Sequence, residues 1–309
     1  MLIVSTSINP PTTQTKNLIN KSKEKNWKFI MVGDTKTPHD LYEELQSDNF
    51  EYLSPEFQER EYPKLSQVLG WKTIQRRNIG FVHAYKNYKE NNGIISSWDD
   101  DNEVNSDWGQ NVQVGKTIEV DIWDNISVPC FDPLSVTNNN DLWQRGYPIQ
   151  LVKEKNKVEY KGKQMRKILA QNDLVDGDAD IDATIRLIKK PIVKFDNIDM
   201  YGSNQIAPFN SQNLFLDINT LPYYFCFNGV GRFDDIWGGY IFQKYFPNSL
   251  VFGPASVYQD RNPQDLITNL ENEIFGYRNT LNLLNDLNNY PVYLPERSLD
   301  AFRIYQEYF

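Results

Sequence analysis

The sequence contains few of the residues that build disulfide frameworks, zinc sites or hydrolytic triads. Among its 309 residues are only two cysteines, Cys130 and Cys226, and only two histidines, His39 and His83. Two cysteines cannot form a disulfide framework, and these two lack the spacing of a metal site. Two histidines give little material for a His-rich zinc site or a Ser-His-Asp triad. We therefore interpret both histidines as structural or exposed.

Long apolar runs and an excess of positive charge are also missing. No segment approaches the roughly 18 consecutive apolar residues of a membrane helix, and the N-terminal residues lack a signal-peptide pattern. The formal net charge of −9 argues against a general nucleic-acid binder. These absences predict a soluble, cytoplasmic protein that binds no nucleic acid and has no membrane span. They leave the oligomeric state open.

The first hundred residues alternate between apolar runs and polar or amphipathic segments. Strands are predicted at 2–8, 27–32, 50–53 and 94–98, with helices before residue 26 and around 74–85. Strands that alternate with helices indicate a parallel sheet built from right-handed βαβ units. Aromatic residues make up 14% of the chain, which is enough to build a sizeable core.

The pattern is less regular after residue 102. Strands are predicted at 118–123, 187–193 and 214–217, whereas the polar stretches 137–141 and 171–178 carry turn residues. Asn262 and Pro263 are typical of a helix N-cap and first helical residue, and an amphipathic helix should follow them. A last helix is predicted at 298–308. The expected architecture is α/β, a Rossmann-type mixed sheet flanked by helices.

Three consecutive carboxylates stand at the end of the apolar run 94–98. In α/β sheets, ligands bind outside the carboxyl ends of the strands, where Asp99, Asp100 and Asp101 would lie. Adjacent carboxylates tolerate each other when a hard divalent cation neutralises them. A calcium loop of the EF-hand type is excluded, because Val104 stands where that loop requires glycine. The run predicts a metal-nucleotide site; the alternative is a solvated acidic turn.

Other polar clusters could belong to the same site. Arg76 and Arg77 could bind phosphate or form a solvated helix face. Asp34 and Lys36 follow the second predicted strand without the spacing of a P-loop. Asp234 and Asp235 stand between aromatic residues and glycines. Those two aspartates could supply a general base, or they could simply be favourable acids in the first turn of a helix.

Several motifs together resemble a known family. The chain is similar to members of the glycosyltransferase-A superfamily, and more narrowly to the STELLO-type glycosyltransferases and the plant reversibly glycosylated polypeptides (UDP-arabinopyranose mutases). The motifs occur in the order of that family over roughly residues 2 to 260. They are Val32–Pro38, Tyr52–Pro55, Arg77–Gly80, Asp99–Asn102, Arg145–Pro148, Asp180–Ala183 and Gly231–Gly239.

The resemblance implies an enzyme that uses a nucleotide sugar, with a UDP-sugar and a glycan or glycoconjugate acceptor as its expected partners. It implies a Rossmann-like sheet and a divalent cation, Mn²⁺ or Mg²⁺, held by Asp99 and Asp101. It divides residues 1–261 into a nucleotide-binding half, 1–105, and a sugar and acceptor half, 106–261. The helical segment 262–309 would pack on this catalytic domain.

The resemblance also implies roles for individual residues. The nucleotide sugar would be bound by Ser5, Thr6, Ser7, Asp34, Lys36, Arg76, Arg77, Asp99 and Asp100. Arg145 would face the sugar diphosphate, and Asp234 or Asp235 would be the base if the reaction inverts the anomeric centre. The sugar or acceptor would meet Asp180, Asp182 and Trp237.

Two rival functions follow from the same resemblance. One is a mutase that interconverts the ring forms of a nucleotide sugar, although Val152 stands where the mutases carry a second arginine. The other is a non-catalytic protein that binds sugar nucleotides. We expect a glycosyltransferase because the departures from the family pattern affect the mutase residues.

Overall fold

The computed structural model describes residues 1–91, 93–189, 191–261 and 264–309. The strands are β1 Leu2–Ser7, β2 Lys28–Gly33, β3 Phe50–Leu53, β4 Ile94–Trp98, β5 Asn102–Val104, β6 Thr117–Asn125, β7 Val158–Lys167, β8 Ala170–Gly177, β9 Tyr201–Gly202, β10 Asn213–Asp217 and β11 Leu250–Gln259. The helices are α1 Thr13–Lys25, α2 His39–Glu43, α3 Pro55–Glu61, α4 Pro63–Leu69, α5 Arg77–Tyr88, α6 Ala183–Ile188, α7 Asp234–Tyr245, α8 Leu266–Asn285 and α9 Glu296–Gln306.

The N-terminal part of the sheet has the strand order β3-β2-β1-β4, and all of these strands are parallel. Their apolar runs are buried because helices cover the sheet, as expected for parallel strands. The order reverses between β1 and β4, so their carboxyl ends diverge around a crevice. In open α/β sheets, ligands bind at such a switch point.

The C-terminal part turns the sheet into a mixed one. Strand β10 runs antiparallel to both β4 and β8, and β8 pairs in parallel with β11. The path continues through β9, β6 and β7, while β5 pairs with β11 off the main path. One sheet of 11 strands therefore spans both predicted halves of the chain. This confirms the predicted fold class, a mixed sheet flanked by helices.

Two local predictions were wrong. Residues 187–189 and 191–193 form no strand, because Leu187 and Ile188 belong to the helix α6, which Asp182 caps by accepting a hydrogen bond from the Thr184 backbone N–H. Residues 171–177, for which turn chemistry was predicted, form most of the buried strand β8. Their polar side chains find partners inside the protein, as when the Asn172 amide donates to the Asn210 carbonyl.

The amphipathic helix predicted after Asn262 and Pro263 is present as α8. Asn262 and Pro263, the expected N-cap and first helical residue, lie outside the described residues. The helix begins at Leu266, and Asp265 caps it by accepting hydrogen bonds from the backbone N–H groups of Ile267 and Thr268. The Asp265 carboxylate is favoured there because it faces the positive end of the helix dipole.

The two histidines occupy structural positions. A ring nitrogen of the buried His83 hydrogen-bonds to Glu51, and the other contacts the Tyr62 hydroxyl. His39 contacts the Tyr52 hydroxyl at 2.6 Å. Neither histidine lines the cavities described below. Across the described ranges, no helix combines the length and apolar character needed to cross a membrane.

Helix α5 approaches β1 and β2 closely at Gly80, and this contact generates a stability prediction. A Cβ atom at position 80 would lie 2.5 Å from Val4 Cγ1 and 2.7 Å from Val32 Cγ2. We expect Gly80→Ala to lower the free energy of unfolding by about 1–2 kcal/mol, because overpacking exceeds the gain in helix propensity. Urea denaturation measures this change.

Gly93→Ala is the matched control. In the described part of the chain, a Cβ atom at position 93 would meet no atom within 4 Å. Its unfolding midpoint should stay within error of the wild type or rise slightly. Equal stability of Gly80→Ala and the wild type would contradict the packing of α5 on the sheet.

Candidate functional site

Two adjoining cavities lie at the carboxyl ends of β1, β2 and β4. The first, of about 290 Å³, includes Ser7, Asp34, Lys36 and Arg76 in its wall. The second, of about 300 Å³, is lined by six aspartates and four arginines. Those residues are Asp99, Asp100, Asp101, Asp180, Asp234, Asp235, Arg77, Arg145, Arg232 and Arg261. The walls share Thr6, Ile74 and Asp100, so the cavities form one groove.

Asp34 organises the wall of the first cavity. Its carboxylate accepts hydrogen bonds from the backbone N–H groups of Lys72 (2.9 Å) and Thr73 (3.0 Å), and from Thr35. Burial alone would raise the pKa of Asp34, but these donors favour the charged form and lower its pKa. Asp34 thus fixes the segment before α5 against the end of β2, and Lys36 stays exposed beside it.

The three consecutive aspartates take three different partners. Asp99 Oδ1 accepts a hydrogen bond of 2.5 Å from Arg77 Nη2, and the buried Arg77 also donates to the Ser211 hydroxyl. Asp100 turns towards β1 and accepts a hydrogen bond from the Ser7 hydroxyl. Asp101 accepts from Gln259 Nε2 at 3.1 Å. Their side chains therefore connect β4 with β1, α5 and β11.

The carboxylate oxygens of the acidic run are of the kind that hard divalent cations bind. Burial, followed by the charge of Asp99, raises the pKa of Asp101 to about 7. Among the described residues, no group of three His, Cys, Asp or Glu side chains is arranged to hold a metal ion. One or two carboxylates nevertheless suffice for Mg²⁺ when water and substrate phosphates complete its coordination. Asp99 and Asp101 would provide such a partial site.

Arg145 links two carboxylates in the second cavity. Its Nε atom donates to Asp180 at 2.8 and 2.9 Å, and its Nη2 atom lies 3.1 Å from Asp235 Oδ1. The guanidinium is only 7% exposed. Because a buried ion pair of this kind is fixed by several hydrogen bonds, Arg145 positions the cavity wall.

The neighbouring Asp234 and Asp235 differ in their partners. Asp235 accepts hydrogen bonds from Arg145 and from the backbone and hydroxyl of Ser211. Asp234 accepts a hydrogen bond from Gln75 Nε2 at 2.7 Å. Burial and the charge of Asp235 raise the pKa of Asp234 to about 7. Both residues lie in the first turn of α7, as one alternative predicted, and both also line the cavity.

Four predicted site residues lie away from the groove or have their polar atoms engaged elsewhere. Asp182 is fully buried as the cap of α6. Trp237 is also fully buried, and its indole N–H donates to the Thr280 hydroxyl. Ser5 is buried within β1. Arg76 borders the first cavity, but its guanidinium stacks on Trp71 and donates to Gln58, Ser66 and Gly70.

The sequence motifs did not identify several residues that line the second cavity. They are Gln75, Ser211, Gln212, Arg232, Gln259, Arg261 and Gln264. Arg232 lies two positions before Asp234 in the motif Gly231–Gly239, so the motif already indicated that Arg232 belongs to the site. Gln259 and Arg261 follow the apolar run 250–257, which is not among the predicted strands. A prediction of β11 would have placed both residues at its carboxyl end.

No family model matches this chain, and no curated protein matches it.

The environment of Asp234 generates a prediction about stability and pH. The pKa of this carboxyl is about 7 in the folded protein and 3.8 as the ordinary value, so the folded state retains its proton more strongly. The favourable contribution is complete below pH 3.8 and is lost as the pH rises through about 7. We therefore expect Asp234→Asn to be more stable than the wild type by about 2 kcal/mol at pH 8, with the difference vanishing near pH 4. Urea denaturation across this pH range measures it.

Asp235→Asn is the matched comparison, because Asp235 is equally buried and adjacent. Removing its charge leaves Arg145 with one fewer carboxylate, so this variant should be less stable than the wild type at pH 8. If Asp234→Asn is destabilised by a similar amount, the assignment of different electrostatic environments to the two residues is wrong.

Proposed function

We propose that this protein is a metal-dependent glycosyltransferase that uses a nucleotide sugar, with a UDP-sugar as the leading candidate. One observation carries the proposal: the two cavities meet at Thr6, Ile74 and Asp100, at the switch point between β1 and β4. A less charged cavity joined to a strongly charged one suits a nucleoside linked to a diphosphate and a sugar. The family resemblance of the ordered motifs supports the same assignment.

The nucleoside would occupy the first cavity. Its wall contains apolar surface from Val32 and Ile74 and polar groups from Ser7, Asn9 and Lys36. A planar base could contact the apolar surface, while the polar groups bind its edge or the ribose. Of the predicted nucleotide-binding residues, Thr6, Ser7, Asp34, Lys36, Arg76 and Asp100 border this cavity. Asp34 would act mainly by holding the segment that frames it.

The diphosphate would lie against the acidic end of the second cavity. Mn²⁺ or Mg²⁺ bound by Asp99 and Asp101 would neutralise the diphosphate charge and stabilise the leaving group. Arg77 holds Asp99 in place from the buried side. The acidic side chains are thereby fixed in position before substrate binds, which reduces the reorganisation that catalysis requires.

The transferred sugar would lie between the acidic run and α7. Asp234 is the better candidate for a general base, because its raised pKa allows it to accept a proton near neutral pH. Asp235 and Asp180 would serve by holding Arg145. If the reaction inverts the anomeric centre, Asp234 would remove the proton from the acceptor hydroxyl. A glycan or glycoconjugate would be the acceptor.

The burial of Arg145 favours transfer over the mutase alternative. In the mutases, the corresponding arginine becomes glycosylated. Here Arg145 is 7% exposed and bonded to two carboxylates, which suits a positioning role. Incubation with UDP-sugars separates the alternatives by their products. A ring isomer alone indicates a mutase, a glycosylated acceptor indicates a transferase, and binding without turnover indicates a non-catalytic binding protein.

Thermal unfolding with Mn²⁺ and a panel of UDP- and GDP-sugars tests nucleotide-sugar binding. At a ligand concentration a hundredfold above Kd, we expect the melting temperature to rise by about 5 °C. Asp101→Asn should greatly reduce the increment that Mn²⁺ adds, because the variant loses a charged metal ligand. The comparison should be made at pH 8, where Asp101 is ionised in the wild type.

Asp196→Asn controls for the loss of one negative charge, because Asp196 is exposed and lies outside both cavities. It should keep the full response to Mn²⁺ and nucleotide. If neither UDP nor GDP compounds shift the melting temperature of the wild type in the presence of Mn²⁺, the proposed function is wrong.

A further inference from the structure

Three arginines surround the single carboxylate of Asp180. Arg145 forms the close, bidentate contact, and the Asn210 amide donates to Asp180 Oδ2 at 2.9 Å. Arg232 Nη2 and Arg261 Nη2 lie farther away, at 3.6 and 3.8 Å from Asp180 Oδ1. These two distances exceed those of hydrogen bonds. Asp180 is therefore hydrogen-bonded to Arg145 and makes only longer ion pairs with Arg232 and Arg261.

Arg232 and Arg261 are nevertheless held in fixed positions. Arg232 Nε donates to Glu273 Oε1 on α8 at 3.0 Å, and Glu273 is fully buried. Arg261 Nη2 donates to Gln259 Oε1 at 2.7 Å, and its Nε donates to the Asp178 carbonyl at 3.4 Å. Both guanidinium groups line the second cavity. Their anchoring contacts thus come from outside the cavity and orient them towards it.

Each of these arginines retains hydrogen-bonding capacity. Among the residues that the structure describes, the Nη1 atoms of Arg232 and Arg261 make no hydrogen bond. Burial, together with the neighbouring charges of Arg186 and Arg232, lowers the pKa of Arg261 despite the attraction of Asp180. Arg186 itself is paired with Asp178. Of the four arginines Arg145, Arg186, Arg232 and Arg261, Arg261 therefore has the most distant carboxylate partner, Asp180 at 3.8 Å.

The opposite end of the same cavity contains the acidic run. Asp101 and Arg261 are joined through Gln259, which donates to Asp101 and accepts from Arg261. The cavity thus has the acidic run at one end, and at the other end two guanidinium groups that keep unused donors. Guanidinium groups form strong, charge-assisted hydrogen bonds with planar or tetrahedral oxyanions.

We propose that Arg232 and Arg261 form an oxyanion subsite that binds a phosphate or carboxylate group of the substrate. The subsite is distinct from the carboxylates of Asp99 and Asp101, and the identity of its substrate rests on the proposed function. Two sources can supply the oxyanion: the diphosphate of the nucleotide sugar, or a carboxylate on the transferred sugar. A uronic acid is the sugar class with the second chemistry.

Calorimetric titration of the full chain with UDP, UDP-glucose and UDP-glucuronate, each with Mn²⁺, tests the subsite. Arg261→Gln is the principal variant, because Asp180 keeps its hydrogen bonds to Arg145 and Asn210. The double variant Arg232→Gln/Glu273→Gln removes the second guanidinium without leaving the buried Glu273 charge unpaired. Arg303→Gln is the control, since Arg303 is exposed and lies on α9 away from the cavity.

We expect affinity to fall by about ten- to a hundredfold in each cavity variant, the usual effect of losing a hydrogen bond to a charged group. If the diphosphate supplies the oxyanion, all three ligands weaken to the same extent. If the sugar carboxylate supplies it, wild type prefers UDP-glucuronate over UDP-glucose, and only UDP-glucuronate weakens. Arg303→Gln should bind like the wild type in both cases.

Titration with inorganic pyrophosphate in the absence of metal keeps this test separate from the proposed function. Pyrophosphate binding that is lost in Arg261→Gln supports the subsite even if no nucleotide sugar binds. The inference is overturned if the cavity variants, with unfolding curves like the wild type, bind pyrophosphate and every UDP ligand as tightly as Arg303→Gln does.

Discussion

The groove depends on one network of hydrogen-bonded charged side chains, joined through Ser211, that lines it. Asp99 is bonded to Arg77, Arg77 to Ser211, Ser211 to Asp235, Asp235 to Arg145, and Arg145 to Asp180. These residues come from the segment after β4, α5, the segment before β10, α7, the segment between β6 and β7, and the segment after β8. Removing Asp99 would leave the buried Arg77 without its carboxylate partner, which costs far more than an exposed ion pair contributes. The network therefore joins segments distant in sequence into one rigid wall.

Two carboxyl groups that line the second cavity are destabilised in their charged form. Asp101 and Asp234 both have pKa values raised to about 7, chiefly by burial and secondarily by a neighbouring aspartate. These two carboxylates are therefore less stable in their charged form than they would be in water. Such destabilised groups are concentrated at functional sites, where the ligand or the reaction uses them. The apolar cores on the two sides of the sheet contribute the folding stability that offsets this destabilisation.

The sequence predicted the N-terminal strands well because each is a short apolar run that ends in turn residues. It failed at β8, whose buried residues Gln171, Asn172 and Asp173 look like a loop until their partners in other strands are known. The acidic run could be placed from its position after an apolar strand. From the sequence alone, Asp182 and Trp237 could not be distinguished from residues that line the cavity. Their burial against α8 depends on tertiary contacts. Arg261 could have been found only by recognising β11.

The contact between Arg232 and Glu273 makes helix α8 part of the groove. Gly231, with φ of +66°, lies so close to α8 that a Cβ atom would overlap the Asn272 carbonyl. Helix α8, which the sequence placed in a separate C-terminal segment, thus holds Arg232 from outside the cavity. By thermodynamic linkage, any ligand that binds better when Arg232 is held must also strengthen the docking of α8, and by the same factor. Ligand affinity in the groove and the docking of α8 are therefore thermodynamically coupled.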